Sequence, residues 1–413
     1  MTPGQPSINP RLVKEADALV EAGHEVHVLC AHMVPWADES DKKLLRKRKW
    51  TCSYVGGRRG SLLYAWTRLR HGLVRKFSDG WIAGSWLGDR ALARVTPELL
   101  GAAEWYKADL YVAHYTGALA AAVRAARKNG ARVAFDAEDF ESGYYEKRSG
   151  PQQIDLLIED VERKYLPGCC YVTAGSPGIA IAYEAKYSIP MPISILNVFP
   201  LAERPEQFRS TAPSGPMRLY WFSQTIGAQR GLEDVIRAMG KLTNCDLELH
   251  LRGTARPDHW KHLQDLAVEN RLPPQAIVLH APSEPDEMIR AAAEFDVGLA
   301  LEQPASLNRS ICLTNKIFSY LLAGNAVAAS DTTGQKPTVE AIGEAGFLYA
   351  PGDIDALAEG LRYWSEDRQQ LQRARQEAWS YGTYPFNWDF EKKKFLEVVS
   401  GVLTERKCAK SVY

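Results

Sequence analysis

Thr314, Asn315 and Lys316 are the residues in this sequence best suited to chemistry on a charged ligand. An apolar run over 297–301 ends at Glu302, and a polar stretch carrying Asn308 follows. Thr-Asn-Lys then opens an apolar segment that reaches 323, Gly324 stops it, and a second apolar run covers 326–329. The pattern predicts strand, loop, helix and strand, a βαβ unit whose crevice lies at the carboxyl ends of its strands. A helix starting there offers backbone N–H groups, the positive end of a dipole and an ammonium, which together suit a phosphate. The plainer reading of the triplet is a capped surface helix.

Other groups with chemical potential are less specific. Asp136, Glu138 and Asp139 follow an apolar run, but their spacing is not that of a metal-binding DxD. Asp353 and Asp355 have DxD spelling yet open a helix, where a carboxylate caps backbone N–H groups. His114 ends a strand and reads as a ligand or as a satisfied structural residue, and His24 sits in a tight turn. Seven cysteines, with Cys169 and Cys170 adjacent, fit neither a metal knuckle nor a redox CxxC pair.

These groups need a frame of two cores, the natural expectation for 413 residues of which 46% are hydrophobic. Formal net charge is zero, which excludes a polyelectrolyte, but residues 41–76 hold twelve Lys or Arg against one acid. Trp50, Tyr54, Tyr64 and Trp66 lie among those cations, with Trp81 and Trp86 beyond. Interleaved cations and aromatics over 41–86 suit an anionic membrane surface. A solvated charged insertion is the equal alternative. No nucleic-acid module accompanies them, so no nucleic-acid partner is expected. No apolar run approaches the roughly 18 residues of a spanning helix.

Helical and strand periods alternate along the chain. Helices are expected over 10–22, 90–107, 117–128, 153–165 and 177–186, and strands over 25–30, 110–113, 132–135, 170–174 and 193–196. A Pro- and Ser-rich linker over 199–216 follows. The alternation restarts with strands over 217–222, 246–252 and 277–279 and helices over 231–242, 259–269 and 284–294. Helices over 355–364, 367–379 and 388–403 close the chain. This predicts an α/β protein of two Rossmann-like domains facing across a cleft, over 1–198 and 217–385, with 386–413 returning to the first. Only Met1 precedes the loop 2–9, so a first strand is expected upstream; omitting a central strand would bare two ladder edges.

The order of these segments resembles glycosyltransferase family 4 (glycosyltransferase group 1), with the GT-B fold. NPRLVKEADALVEAGHEVHVL, ADLYVAHYTGALAAAVRAA, RVAFDAEDFESG, LYWFSQTIGAQRGLEDVIRAM and NKIFSYLLAGNAVAASDTTG carry the resemblance over nearly the whole chain. It implies a nucleotide-sugar donor as substrate, a retaining reaction, no metal and no further cofactor. Arg230 would grip the diphosphate with Lys316, and Gly231 would open the helix beside it. Gln224 stands where a second cation is common. Glu138 takes the place of a His that orients the acceptor or donor, and Gly4, Ser7, His114, Asp136 and Asp139 complete the acceptor side. The family's pair of Glu eight residues apart falls here on Ile311 and Ser319, so ribose recognition would fall to Ser319, Glu302 or Asn308.

The function expected is sugar transfer to a glycan, a lipid-linked saccharide or a small-molecule hydroxyl. The location expected is cytoplasmic, peripheral on the inner face of the cytoplasmic membrane. A catalytically inactive GT-B scaffold or binding subunit is the alternative, prompted by the missing carboxylates. A sugar-nucleotide epimerase is the third reading.

Overall fold

The computed structural model describes residues 1–77, 86–145, 152–212 and 214–404, so Trp81 lies outside it. The chain divides into two units, Met1–Leu196 with the segment from Lys392, and Asn197–Glu391.

In the first unit, helix Pro10–Glu21 starts where the Asn9 side chain accepts from Leu12 N, with Pro10 in the first turn. Its Leu12, Val13 and Ala16 pack on Val28, Cys30 and Trp50. Two strands, β1 (His27–Ala31) and β2 (Thr51–Val55), pair in parallel. Four more, β3 (Leu110–His114), β4 (Arg132–Ala137), β5 (Tyr171–Ala174) and β6 (Ile193–Ser194), form a second parallel sheet in that order. The first residues of the chain bridge the two. Met1 bonds Val112 O and His114 N on one side, while Thr2 N donates to Leu29 O and Gly4 O accepts from Ala31 N on the other. Residues 1–4 thus sit where an upstream first strand is expected from sequence. The helix expected over 90–107 is two, Trp86–Leu92 and Thr96–Trp105. Pro97 lies in the first turn of the second, where a missing N–H costs nothing.

The cationic stretch is structured, with helices Ala37–Leu45 and Leu62–Phe77 around β2. Trp50 is buried, and its indole N–H donates to Asp17 at 2.8 Å. Tyr54 donates to Asp41 at 2.7 Å, and Arg48, Arg58 and Arg70 pair with Asp17, Asp38 and Glu98.

The second unit carries β7 (Met217–Ile226), β8 (Leu247–Ala255), β9 (Ile277–His280), β10 (Val297–Ala300), β11 (Ala326–Ser330) and β12 (Gly346–Tyr349). Its all-parallel order is β12-β11-β10-β7-β8-β9. The chain begins in the middle, runs out to β9 and returns beside β7 at β10. The order therefore reverses between β7 and β10, the crevice position of doubly wound sheets. Leu219, Trp221, Leu249, Leu251, Val297 and Leu299 supply one buried face. Helix Asn315–Ala323 lies directly on β10: a Cβ at Gly298 would fall 2.1 Å from the Tyr320 ring, and Tyr320 OH donates to Leu299 O. The stretch 199–216 packs on this unit through Arg209 to Glu294 O and Thr211 N to Gln372. No helix among the described residues is long and apolar enough to cross a membrane.

Candidate functional site

Several of the residues expected to bind a donor meet at the reversal point of the second unit. Lys316, in the first turn after the Thr314 cap, reaches Glu302 just beyond β10, Nζ to Oε1 at 2.7 Å. Both side chains are 12% exposed. Burial pushes the Glu302 carboxyl up, but Lys316 outweighs it, helped by Arg230 and Arg309, so the group rests below its usual value. Lys316 also lies 5.6 Å above the Trp221 ring.

The loop after β7 is pressed against the end of β10. Gly231 has φ of +72°, and a Cβ there would sit 2.7 Å from Leu301 O. Only glycine meets both demands without strain. Arg309, on the short helix Leu307–Ile311, donates to Gln229 O at 3.1 Å and ties that loop to the polar stretch after β10. Lys316 thus pairs directly with Glu302 while Arg230 and Arg309 act on it electrostatically, three positive charges against one negative. Such a surplus at strand ends suits a diphosphate.

Arg309 went unrecognised in the sequence, because a cation in an aperiodic loop carries no positional signal. Gln224 is exposed on β7, beside a register shift between Phe222 and Thr225. Asn308 is buried on the short helix. Asn315 opens the helix, and its carbonyl accepts from the Ser319 hydroxyl at 3.2 Å. Ser319 is fully buried, so that hydroxyl is committed to the helix turn. Asp353 caps helix Ile354–Glu366 by accepting from Ala356 N.

The acceptor-side residues divide into a buried set and a set near the strand ends. Asp136 takes Arg11 Nε and Nη2 at 2.7–2.9 Å and Thr173 Oγ1 at 2.6 Å, while Arg11 Nη1 donates to Ile195 O. Burial opposes the Asp136 charge, but Arg11, aided by His114, holds it well below the usual carboxylate range. His114 lies between Asp136 (3.2 Å) and Glu15 (3.4 Å), and burial pulls its pKa down. Burial, and then Asp136, push Glu15 well up. Asp136 and His114 are 1% and 5% exposed, so the structure spends them on joining helix Pro10–Glu21 to β3, β4 and β5. Glu15, His114 and Asp136 are also the one trio among the described residues with metal-like spacing. Arg11 already supplies the cation there.

Glu138 differs. Burial, then Asp139, push its carboxyl up to about 7. Tyr115 OH lies 3.4 Å from its Oε2, and Tyr115 holds φ of +65°, a strained value for a tyrosine. Asp139 accepts from Tyr144 OH at 2.6 Å. Gly4 is buried and paired to β1, while Ser7 N and Oγ are engaged by Asp41 and Ala37 O.

No family model and no curated protein matches this chain. Solved structures do. HepE of Anabaena in complex with UDP has 16% identity and a TM-score of 0.68, over 97% of this chain and 99% of that one. Sucrose-phosphate synthase of Thermosynechococcus elongatus has 14% identity and a TM-score of 0.70, over 98% and 96%. The apo lipopolysaccharide outer core galactosyltransferase WaaB has 14% identity and a TM-score of 0.57, over 97% and 99%. The chain has the GT-B fold. At these identities the fold is what is shared, and its two Rossmann-like domains correspond to the alternation of strand and helix found in each unit.

Proposed function

We propose that this GT-B chain is a glycosyltransferase of the family 4 type, moving a sugar from a nucleotide-sugar donor to a hydroxyl acceptor. The observation that carries the reading is the Lys316–Glu302 pair where the strand order reverses, with Arg230 and Arg309 adding their positive charge to the same carboxylate's surroundings. A nucleoside diphosphate leaves with its negative charge concentrated on the diphosphate, and fixed cations at that point favour departure. HepE in its complexes with UDP and UDP-glucose supports the donor class. In this reading the reaction is retaining and metal-independent, with protein cations in the metal's place.

On the acceptor side Glu138 is the group with a fitting proton affinity. A carboxyl near 7 takes a proton from a sugar hydroxyl more readily than an ordinary glutamate. We assign it the positioning of the acceptor, which is a glycan, a lipid-linked saccharide or a small molecule. A cytoplasmic enzyme held at the inner face of the membrane fits such an acceptor.

A second reading, a binding subunit without turnover, is favoured by one observation. Ser319 and Ile311, in place of the carboxylate pair, are both buried and offer the donor ribose no charged acceptor. Calorimetry with UDP and a panel of nucleotide sugars, followed by nucleotide release with and without acceptors, tests both. Binding with acceptor-dependent release is expected for the transferase. Binding without release on any acceptor supports the subunit, and no binding across the panel overturns both.

A further inference from the structure

Helix Leu62–Phe77 is attached to its unit by the wrong face. Thr67 is fully buried and bonds Gly56 O. Arg70 grips both Glu98 oxygens and Arg94 O, and His71 meets Ala91 O at 2.9 Å. The opposite face carries Leu62, Trp66, Leu69 and Leu73, spaced i, i+4, i+7 and i+11. Their exposures are 92%, 57%, 58% and 49%. A surface helix of a globular protein buries its apolar stripe and wets its polar one. Here polar bonds fasten the helix, and a stripe of three leucines and a tryptophan points into water.

The flanks of the stripe say what covers it. Lys76 is exposed beside it, Arg68 and Arg75 are exposed farther round the same helix, and no acid occurs anywhere between residues 42 and 78. A second copy of this face would bring like charges together, and a nucleic acid would leave the leucines wet. An anionic bilayer satisfies both parts, taking the leucines and tryptophan among its acyl chains and the cations among its phosphates.

We propose that helix Leu62–Phe77 lies flat on an anionic lipid surface, with Leu62, Trp66, Leu69 and Leu73 inserted and Arg68, Arg75 and Lys76 at the headgroups. This deepens the peripheral location given above. Trp50 and Tyr54 take no part in that role, since they are occupied by Asp17 and Asp41.

The test is co-sedimentation of the full chain with phosphatidylcholine vesicles, with and without one-third phosphatidylglycerol, at low and high salt. Binding to the anionic vesicles at low salt is expected, with loss on the order of tenfold on pure phosphatidylcholine. Leu69→Glu with Leu73→Glu should abolish it while the circular dichroism melt stays unchanged, because both side chains are outside the core. Should that variant unfold, Arg68→Gln with Lys76→Gln carries the test, with a fall on the order of tenfold expected. Three results would overturn the inference: wild-type protein that stays in the supernatant, either folded variant pelleting as the wild type does, or a dimer by light scattering that Leu69→Glu splits. UDP calorimetry on the same samples keeps a failure here separate from a failure of the transferase reading.

Discussion

Replacing Lys316 by alanine tests the donor site by its charge count. In the wild type the charges of Arg230, Arg309 and Lys316 all act on Glu302, a surplus of two positive charges. Lys316→Ala lowers the surplus to one and removes the ammonium 2.7 Å from a buried carboxylate. Losing one charge-assisted hydrogen bond to a phosphate costs about 1.5–3 kcal/mol. At about 1.4 kcal/mol per factor of ten, Kd for UDP should rise between about tenfold and about a hundredfold. Glu302→Gln gives the opposite perturbation. It keeps the shape and an acceptor for Lys316, raises the surplus to three, and should tighten UDP. The double variant restores a surplus of two and should bind better than Lys316→Ala alone. Calorimetry at fixed ionic strength reads all four proteins, and added salt should compress the differences. A Kd for Lys316→Ala within about threefold of wild type, near the additivity error of such cycles, would refute a phosphate contact by Lys316. The charge count fails if Glu302→Gln weakens UDP as much as Lys316→Ala does, because Glu302 would then touch the ligand itself.

If the Glu138 carboxylate accepts the acceptor's proton, kcat/KM should rise with pH through about 7. Glu138→Gln should remove that inflection, whereas Glu141→Gln, altering the neighbouring carboxyl pushed up to about 8, should leave it in place. Arg11→Met strands Asp136 as a buried charge and leaves Ile195 O without its donor, so urea unfolding should show a loss of about 3–5 kcal/mol. The wild-type pair has the sign of a depressed carboxyl. Its contribution is fully present above the unfolded value near pH 4 and is lost as pH falls toward the folded one, so acid should narrow the gap between wild type and Arg11→Met. Gly231→Ala forces a Cβ against Leu301 O at positive φ, and UDP binding should fall with little change in far-ultraviolet circular dichroism.

The strands of the second unit were legible because buried parallel strands are short apolar runs between helical periods. The 297–301, 326–329 and 217–222 segments all fall on observed strands. Helix Gln153–Tyr165 appears within the bounds its pattern gives. β2 escaped notice because Trp50 and Tyr54 sit among cations that suggest a wet surface, when those cations find acids elsewhere in the fold. β12 is only half buried and follows no clean period. In the site, Lys316 announced itself through the Thr-Asn-Lys start, while its partner role with Glu302 depends on a loop closure that no local pattern encodes. Arg11 and Asp136 are 125 residues apart, and nothing in either segment marks them as a pair.

Gly298 sets a distance it never touches. The Tyr320 ring occupies the volume where any other residue at 298 would keep its first side-chain carbon, so the helix rides as low on the sheet as a backbone allows. Lys316 stands one turn up that helix, and its height above Glu302 is inherited from the missing carbon. A methyl group added at 298 would lift the helix, and the ammonium with it, while leaving every strand in sequence. Binding would then fall in a molecule whose far-ultraviolet spectrum looked almost untouched but which melted earlier, the fault lying eighteen residues from the atom that failed to arrive.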